Sequence, residues 1–521
     1  MKTYLLKINI IDHIYQKNHF LSTKNLMDYI DYTEIRFQFI GVRKHFFSDK
    51  QYYVSVFDDC FVMGATPHTQ QPKYTIKFGF STKIRWNIKK TKQGLLFDSF
   101  SFPYKQEMKV MSANHDNLIK FKEMISLKVT FDNINDLYEP LSLIGKGISA
   151  KVYSASQKLD QKIYAIKAIE KAFLKQQNES GQAAFKMEVS ILKTLAKFPE
   201  NFLTLKEIYE GDQVHCLVTS FLEGSSLTQE FDRLKTSDMF RFPIHQTKLI
   251  MKKLLTNLAV LHQNKIIHRD LKPDNLMFSK KNDYSTLVLV DFGLATSESM
   301  EKFLFPKCGT PGYVAPEILT LKPFSRYTTK VDIFSCGCIF YKLLTGKNLF
   351  GGISFDETLK QNRMCQIEFN LQFDQQYITE QSINLLQQML MINPKHRITA
   401  KDALYHPFFD QNLEQNIFQQ ALIFSPKRST KIFLNAKQEE QQSDLDSFQD
   451  DKISNEKQIE ESNFIQLPKS KRCSLMGDFS LLSQSPCKFL HDTQQFYQKD
   501  PLSGFRCIKV TQSPQVSQIL D

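Results

Sequence analysis

The 521-residue chain lacks the cysteine spacings that build disulfide or zinc frameworks. Its nine cysteines are scattered, with no C-x-x-C pair and no Cys/His run at zinc spacing. That pattern fits a reducing, intracellular compartment and argues against a disulfide scaffold. No window approaches about 18 uninterrupted apolar residues, so a membrane span is not expected. The opening M-K-T-Y-L-L-K-I-N-I-I-D breaks its apolar run with Lys7 and Asn9 and has no small-residue cleavage site. It reads as a β-strand, not a secretory leader. There is no internal repeat and no long Lys/Arg block. The net charge of +12 therefore reads as a lysine-rich soluble surface, with affinity for phosphates, anionic lipid or acidic partners as the alternative. Nucleic acid is not an expected partner. A hydrophobic content of 42% is enough for ordinary packed cores.

Three regions separate by composition. Residues 1–128 are rich in Phe, Tyr, Ile and Val, in short alternating runs such as 51–57 and 73–80. These predict a small β-rich module, closed by a helix over 114–128 where Leu118, Phe121, Ile125 and Leu127 recur at helical spacing. Residues 138–410 alternate strand-like and helix-like runs and hold every strong motif. From 411 to 521 the chain turns to Gln, Ser, Asp and Lys with little periodicity, a composition expected to be mostly disordered.

The motif H-R-D-L-K-P-D-N at 268–275, followed by D-F-G at 291–293, carries the chemistry. Asp270 can orient a hydroxyl nucleophile. Lys272 is a cation beside it. Asn275 and Asp291 are oxygen ligands suited to Mg²⁺ against a nucleotide's phosphates. Upstream, L-I-G-K-G-I-S-A-K-V-Y at 143–153 has Gly145 and Gly147 placed for close approach of backbone N–H groups to phosphates. The strand I-Y-A-I-K at 163–167 puts Lys167 and Ala165 on one face, over a pocket floored by Val152. A helix predicted over 185–195 places Glu188 where it can fix the Lys167 ammonium. The buried strand at 215–224 would set Thr219 at the back of the pocket and the backbone of Ser220, Phe221 and Leu222 at the adenine edge.

These motifs resemble the eukaryotic serine/threonine protein kinases over 138–410. The resemblance implies an α+β, two-lobed kinase fold with a β-rich N-lobe and a helical C-lobe, preceded here by the small β-rich domain with its C-terminal helix. It implies ATP and Mg²⁺ as cofactors and protein substrates. The nucleotide would contact Ile144, Gly145, Lys146, Gly147, Ala150, Val152, Ala165, Lys167, Glu188, Thr219, Ser220, Phe221, Leu222 and Met277. Asp270 would be the catalytic base, Lys272 would steady the phosphoryl group, and Asn275 and Asp291 would bind the metal. His268, Phe292 and Leu192 would stack as a spine. Arg269 implies a phosphate or another acid on the following loop to offset its charge. Glu317 should pair with Arg397, and Asp332 should accept backbone bonds from the 268–270 loop. Thr310, in C-G-T-P-G-Y-V-A-P-E at 308–317, read with Lys272, points to serine or threonine acceptors. The same strings lean towards the calcium/calmodulin-dependent-like, basophilic group, with Asp274 near a substrate arginine, in intracellular signalling.

Several positions depart from the family pattern. Ala150 stands for the third loop glycine, and Phe334 for a common tryptophan. Pro306 occupies a position where many related kinases have a phosphorylatable threonine, which leaves Thr296, Ser297 and Ser299 as candidate sites, with a loop that orders itself without modification as the alternative. The N-terminal module resembles a pleckstrin-homology domain, with Phe121 where that family's helix has a tryptophan. Arg43, Lys44 and Lys50 would be its basic hairpin. Anionic lipid and intramolecular docking on the kinase stay open as its partners, so the expected location is cytoplasmic or peripheral to membranes. In the tail, 443–451 fails as a calcium loop because Phe448 and Gln449 occupy a ligand position and the turn glycine's place. Ser474, after Lys471 and Arg472, is a candidate basophilic phosphosite. No basic amphipathic helix follows 410.

Overall fold

Alternating apolar stretches in the first quarter of the chain form antiparallel strands packed on one helix. The computed structural model describes residues 30–410, apart from 45–46, 93, 148–149, 323–324 and 373–376, together with 429–433. It divides into two units, residues 1–129 and 130–521. The strand expected at residues 1–12 and the features at 443–451 and 474 lie outside the described residues.

The first unit holds β1 (Phe37–Arg43), β2 (Lys50–Val56), β3 (Cys60–Gly64), β4 (Tyr74–Lys77), β5 (Lys83–Thr91), β6 (Gly94–Tyr104) and β7 (Glu107–Ser112), then helix α1 (His115–Ile125). The sheet order is β4-β3-β2-β1-β7-β6-β5, with antiparallel neighbours. Phe121 of α1 is fully buried. Its ring lies 5.4 Å from Phe39, 5.3 Å from Phe61, 5.0 Å from Phe100 and 6.0 Å from Trp86. One aromatic from the helix thus knits both halves of the sheet. Asn114 caps α1 by accepting from the Asp116 N–H. The helix stops at Ile125, whose carbonyl accepts from Lys128 and Val129. Leu127 therefore lies in the turn beyond it, short of the expected end at 128.

The second unit opens with a β-rich lobe. Its strands are β8 (Thr130–Phe131), β9 (Tyr138–Lys146), β10 (Ala150–Gln157), β11 (Ile163–Glu170), β12 (Leu205–Glu210) and β13 (Val214–Ser220). They order as β8-β12-β13-β11-β10-β9. Helices α2 (Lys171–Gln176) and α3 (Asn178–Leu195) lie between β11 and β12, so α3 starts well before the 185 read from apolar periodicity. The helical lobe follows with α4 (Leu227–Thr236), α5 (Ile244–Gln263), α6 (Pro316–Leu319), α7 (Lys330–Thr345), α8 (Phe355–Met364), α9 (Glu380–Met389) and α10 (Ala400–Ala403). α5 buries Ile250, Leu254, Leu258 and Leu261, a stripe at three- and four-residue spacing,. α7 is buried at every position from Val331 to Phe340, Cys336 and Cys338 included, and is the lobe's central helix. Short pairs β14 (Ile266–Ile267) with β17 (Thr296–Ser297), and β15 (Leu276–Phe278) with β16 (Leu287–Leu289), frame the loops between α5 and α6. In the tail, β19 (Ser429–Phe433) pairs antiparallel with β18 (Glu368–Gln372). Among the described residues, no helix is long and apolar enough to cross a membrane.

Arg397 braces the helical lobe. Its Nη1 and Nη2 donate to Glu317 Oε1 and Oε2 at 2.6 and 3.0 Å. The remaining donors reach Met391 O (2.9 Å), Lys330 O (2.8 Å) and Ile392 O (3.1 Å). All five N–H groups of a buried guanidinium are used, and the cation sits 5.1 Å from the Phe334 ring centroid. Removing one member of such a pair leaves an uncompensated buried charge. Glu317→Ala is expected to destabilise the chain by about 3–5 kcal/mol, read from urea unfolding. A loss below ~1 kcal/mol would show that the pair does not brace this lobe.

Candidate active site

Strand register builds one wall of the site. Gly145 pairs with Val152, and Val152 pairs with Lys167 across β10 and β11. Lys167 pairs with Leu217, and Ala165 with Thr219, across β11 and β13. The hairpin turn closes with Gly147 N–H donating to Ala150 O at 2.8 Å, leaving the Ile144 and Lys146 side chains exposed and Ala150 buried. Thr219 Oγ1 donates to Ala165 O at 3.3 Å. Beyond Ser220, the segment through Phe221 and Leu222 is tied to β15. Glu223 N–H donates to Ser279 O at 3.2 Å, and Phe278 N–H to Ser225 O at 3.0 Å. Met277 is thereby held beside that segment, bridged to Ser226.

Lys167 is the meeting point of strand, helix and loop. Its Nζ donates to Glu188 Oε1 of α3 at 2.7 Å and to Asp291 Oδ1 at 2.8 Å. Burial opposes the Lys167 charge, but the Asp291 and Glu188 carboxylates outweigh it and raise its pKa above the ordinary lysine value,. The Lys167 charge in turn holds the Asp291 carboxyl well below the usual carboxylate range, with Lys272 adding to the effect. Asp291 adopts φ +60°, uncommon for a side chain larger than glycine. The next residue, Phe292, turns into the core against His268 (5.1 Å) and Phe202 (6.1 Å). Phe202 had no signal in the sequence. Leu192 is buried on α3.

The second group centres on Asp270. Thr310 Oγ1 donates to Asp270 Oδ1 at 2.6 Å, and Lys272 Nζ donates to Oδ2 at 2.9 Å and to Thr310 Oγ1 at 3.0 Å. Asn275 Nδ2 donates to Asp270 O at 2.8 Å and to Oδ2 at 3.2 Å. Burial disfavours the Lys272 ammonium, yet Asp270, with Asp291 and Asp274, outweighs it and its pKa is raised. Gly309, before Thr310, has φ +120°, and a Cβ there would meet Arg269 O at 3.0 Å. Only glycine fits both demands.

Asp332, near the start of α7, shapes the loop. Its carboxylate accepts from His268 N–H and Arg269 N–H, both at 2.9 Å, and lies 3.0 Å from His262 Nε2. Burial pushes its pKa up, but the hydrogen bond and charge of His262, with His268, prevail and hold it low.

Arg269 is held by neutral acceptors of the loop that follows. Its Nε donates to Leu294 O at 2.5 Å, and its Nη1 to Leu304 O and Phe305 O at 3.0 Å and to Tyr327 OH at 3.1 Å. Tyr327 OH donates to Pro306 O at 3.0 Å, and its ring lies 4.9 Å from the buried Phe303. Backbone carbonyls and one tyrosine hydroxyl thus engage Nε and Nη1 of Arg269. Of the candidate phosphosites, Thr296 is buried in β17 opposite Ile267, whereas Ser299 is exposed. Tyr327→Phe removes a hydroxyl that both accepts and donates here. Tryptic cleavage after the exposed Lys302 is expected to quicken about ten-fold, the effect of ~1.4 kcal/mol on local opening. An unchanged rate would show that Tyr327 does not hold the loop.

The Protein kinase domain family matches residues 138–409, more than half of the chain. The relatives matched include Calcium-dependent protein kinase 4 of Plasmodium berghei (strain Anka) and Calcium-dependent protein kinase 4 of Plasmodium falciparum (isolate 3D7). Each is 33% identical over 274 residues, covering 52% of this chain and 49% of the relative. The chain spans about half the length of the curated relatives it matches. With the Lys167–Glu188–Asp291 and Asp270–Lys272–Thr310 groups in place, it belongs to the protein kinase family, whose members use ATP and Mg²⁺.

Proposed function

We propose that the chain is a serine/threonine protein kinase acting in intracellular signalling, with its catalytic domain at 138–410, a pleckstrin-homology-like module at 1–128 and a tail at 411–521. The observation that carries this reading is that the two groups are joined: Val290 N–H, next to Asp291, donates to Asn275 O at 3.0 Å, and Asn275 Nδ2 donates to Asp270 O at 2.8 Å. ATP with Mg²⁺ would supply the phosphoryl group and the counter-charge for it.

The donor set suits that pairing. Asp291 and the Asn275 amide offer hard oxygen ligands. Among the described residues, no cluster of three or more His, Cys, Asp or Glu could hold a metal by itself. Mg²⁺ is usually bound by one or two carboxylates together with phosphates rather than by an all-protein cage. A Cβ at Gly293 would stand 3.4 Å from Asp291 Oδ1, so glycine keeps that carboxylate open on one side. Lys167 would grip phosphate oxygens, Ile144, Val152, Ala165 and Met277 would enclose the base, and the backbone of Ser220–Leu222 would meet its edge. Asp270 would orient the acceptor hydroxyl and take its proton, with Lys272 stabilising charge on the transferring group.

Asp274 is exposed at the end of the loop, with its charge felt by Lys342. That placement supports a preference for arginine near the target residue. In a phosphate-incorporation assay, the wild-type chain should label a serine peptide, and Asp270→Asn should lose several orders of magnitude, ~4 kcal/mol or more of transition-state stabilisation. Replacing arginine two or three residues before the serine by alanine should lower the rate. Equal labelling by wild type and Asp270→Asn would overturn the assignment, and equal rates on both peptides would remove the basophilic reading.

For the N-terminal module, a basic–aromatic cluster favours anionic lipid over docking on the kinase. Arg43 bonds the Tyr74 hydroxyl, Lys73 lies over the Tyr52 and Tyr74 rings, and Lys105 over Tyr104. Phe47, in the β1–β2 connection, is 94% exposed. The full chain should float with phosphatidylserine vesicles at low salt, and less so after Lys73→Glu. No flotation at low salt would discard the lipid reading.

A further inference from the structure

The helix α8 is mostly polar, and Asn362 is its one buried residue among the described residues. Both ends of its amide are engaged by one distant backbone segment. Gly312 N–H donates to Asn362 Oδ1 at 2.5 Å, and Asn362 Nδ2 donates to Val314 O at 3.1 Å. The amide orientation follows from those partners, since the first can only donate and the second only accept. Gly312 has φ +95°, so the chain turns there in a conformation that side chains rarely adopt.

The rest of the turn is held as closely. Tyr313 and Val314 N–H donate to Thr310 O at 3.1 and 3.2 Å, and Ser335 Oγ of α7 donates to Tyr313 O at 2.8 Å. Thr310 opens this turn, and its hydroxyl bonds Asp270. An apolar residue at 362 would fill the same volume but leave two backbone groups without partners.

Resting on the kinase reading above, we infer that Asn362 is a positioning residue for the protein substrate: it fixes the 312–314 backbone next to Thr310, and so sets how tightly the acceptor peptide is held. It touches neither nucleotide nor acceptor and acts through the segment it grips. Its influence falls on the peptide side of the site, since the Lys167–Glu188–Asp291 group is built on β11, α3 and the 291–293 loop.

The test uses the full chain with Asn362→Leu, which keeps volume and removes both bonds, and Asn362→Asp, which keeps the acceptor for Gly312 and loses the donor. KM for a serine peptide should rise about ten-fold or more in both, while KM for ATP stays within about two-fold and kcat changes less than peptide KM. The thermal shift caused by ATP reports folding separately. A wild-type peptide KM in Asn362→Leu overturns the inference. So does a parallel decline of peptide and ATP constants, or failure of both variants to fold, which would make Asn362 only a core residue. Absence of transfer by the wild-type chain would instead reject the kinase reading itself.

Discussion

The buried carboxylate of Asp332 is the constraint on which the rest of the site depends. It lies in the first turn of α7, where the helix dipole favours negative charge,. Three donors converge on its two oxygens: the His268 and Arg269 N–H groups and the His262 ring. Those bonds over-determine the backbone at Arg269, which holds φ +68°. A side chain in that conformation persists only where its surroundings enforce it. Here the central helix of the lobe enforces it, and Asp270 projects towards Lys272 and Thr310 as a result.

The same kink sends the Arg269 side chain the other way, into the loop that follows Asp291. Its Nε and Nη1 donate to carbonyls of residues 294, 304 and 305 and to the Tyr327 hydroxyl. Carbonyl dipoles solvate a cation without carrying a formal charge. The loop therefore closes on Arg269 through its own backbone, and Pro306, which removes a modification point, contributes a carbonyl to Tyr327 instead. Order in this loop arises from buried backbone bonds more than from surface charge, so salt should affect it little.

The residues of the two charged groups were legible in the sequence, as were Asp332 and the Glu317–Arg397 pair, while other supports stayed hidden. Asp270, Lys272, Asn275 and Asp291 sit in short strings whose spacing is the signal, and Lys167 with Glu188 needed only one strand and one helix to be placed. Asn362, Tyr327 and Phe202 could not be read in this way. Asn362 and Tyr327 bond backbone groups of distant segments, and a backbone group leaves no side-chain pattern to match. Apolar periodicity also misplaced element ends. It reached Leu127, where the chain has already turned on the Ile125 carbonyl, and it began α3 at 185 because the polar turns from Asn178 carry no apolar stripe. Phe121 was legible as a core residue, but its part as the hub between the two halves of a sheet depends on pairing that only the fold supplies.

On the kinase reading, charge balance gives the site a use for a cation besides its lysines. Asp270, Asp291 and Glu188 set three carboxylates against the ammoniums of Lys167 and Lys272, an excess of one negative charge in a partly buried space. A triphosphate brought there alone would be repelled by Asp291, the carboxylate whose low pKa keeps it ionised across the physiological range. Lys167 cannot neutralise both, because Glu188 already shares its charge at 2.7 Å. A divalent ion beside Asp291 would change the sign of the local balance: at an effective dielectric of ~20 two unit charges at contact interact by about 4 kcal/mol, and a divalent ion with one carboxylate by about twice that. The pairing of Lys167 with Glu188 thus has two effects. It fixes the ammonium in place, and, on the kinase reading proposed above, it makes Asp291 share that one cation with Glu188, so that Mg²⁺ arriving with ATP would supply the remaining positive charge.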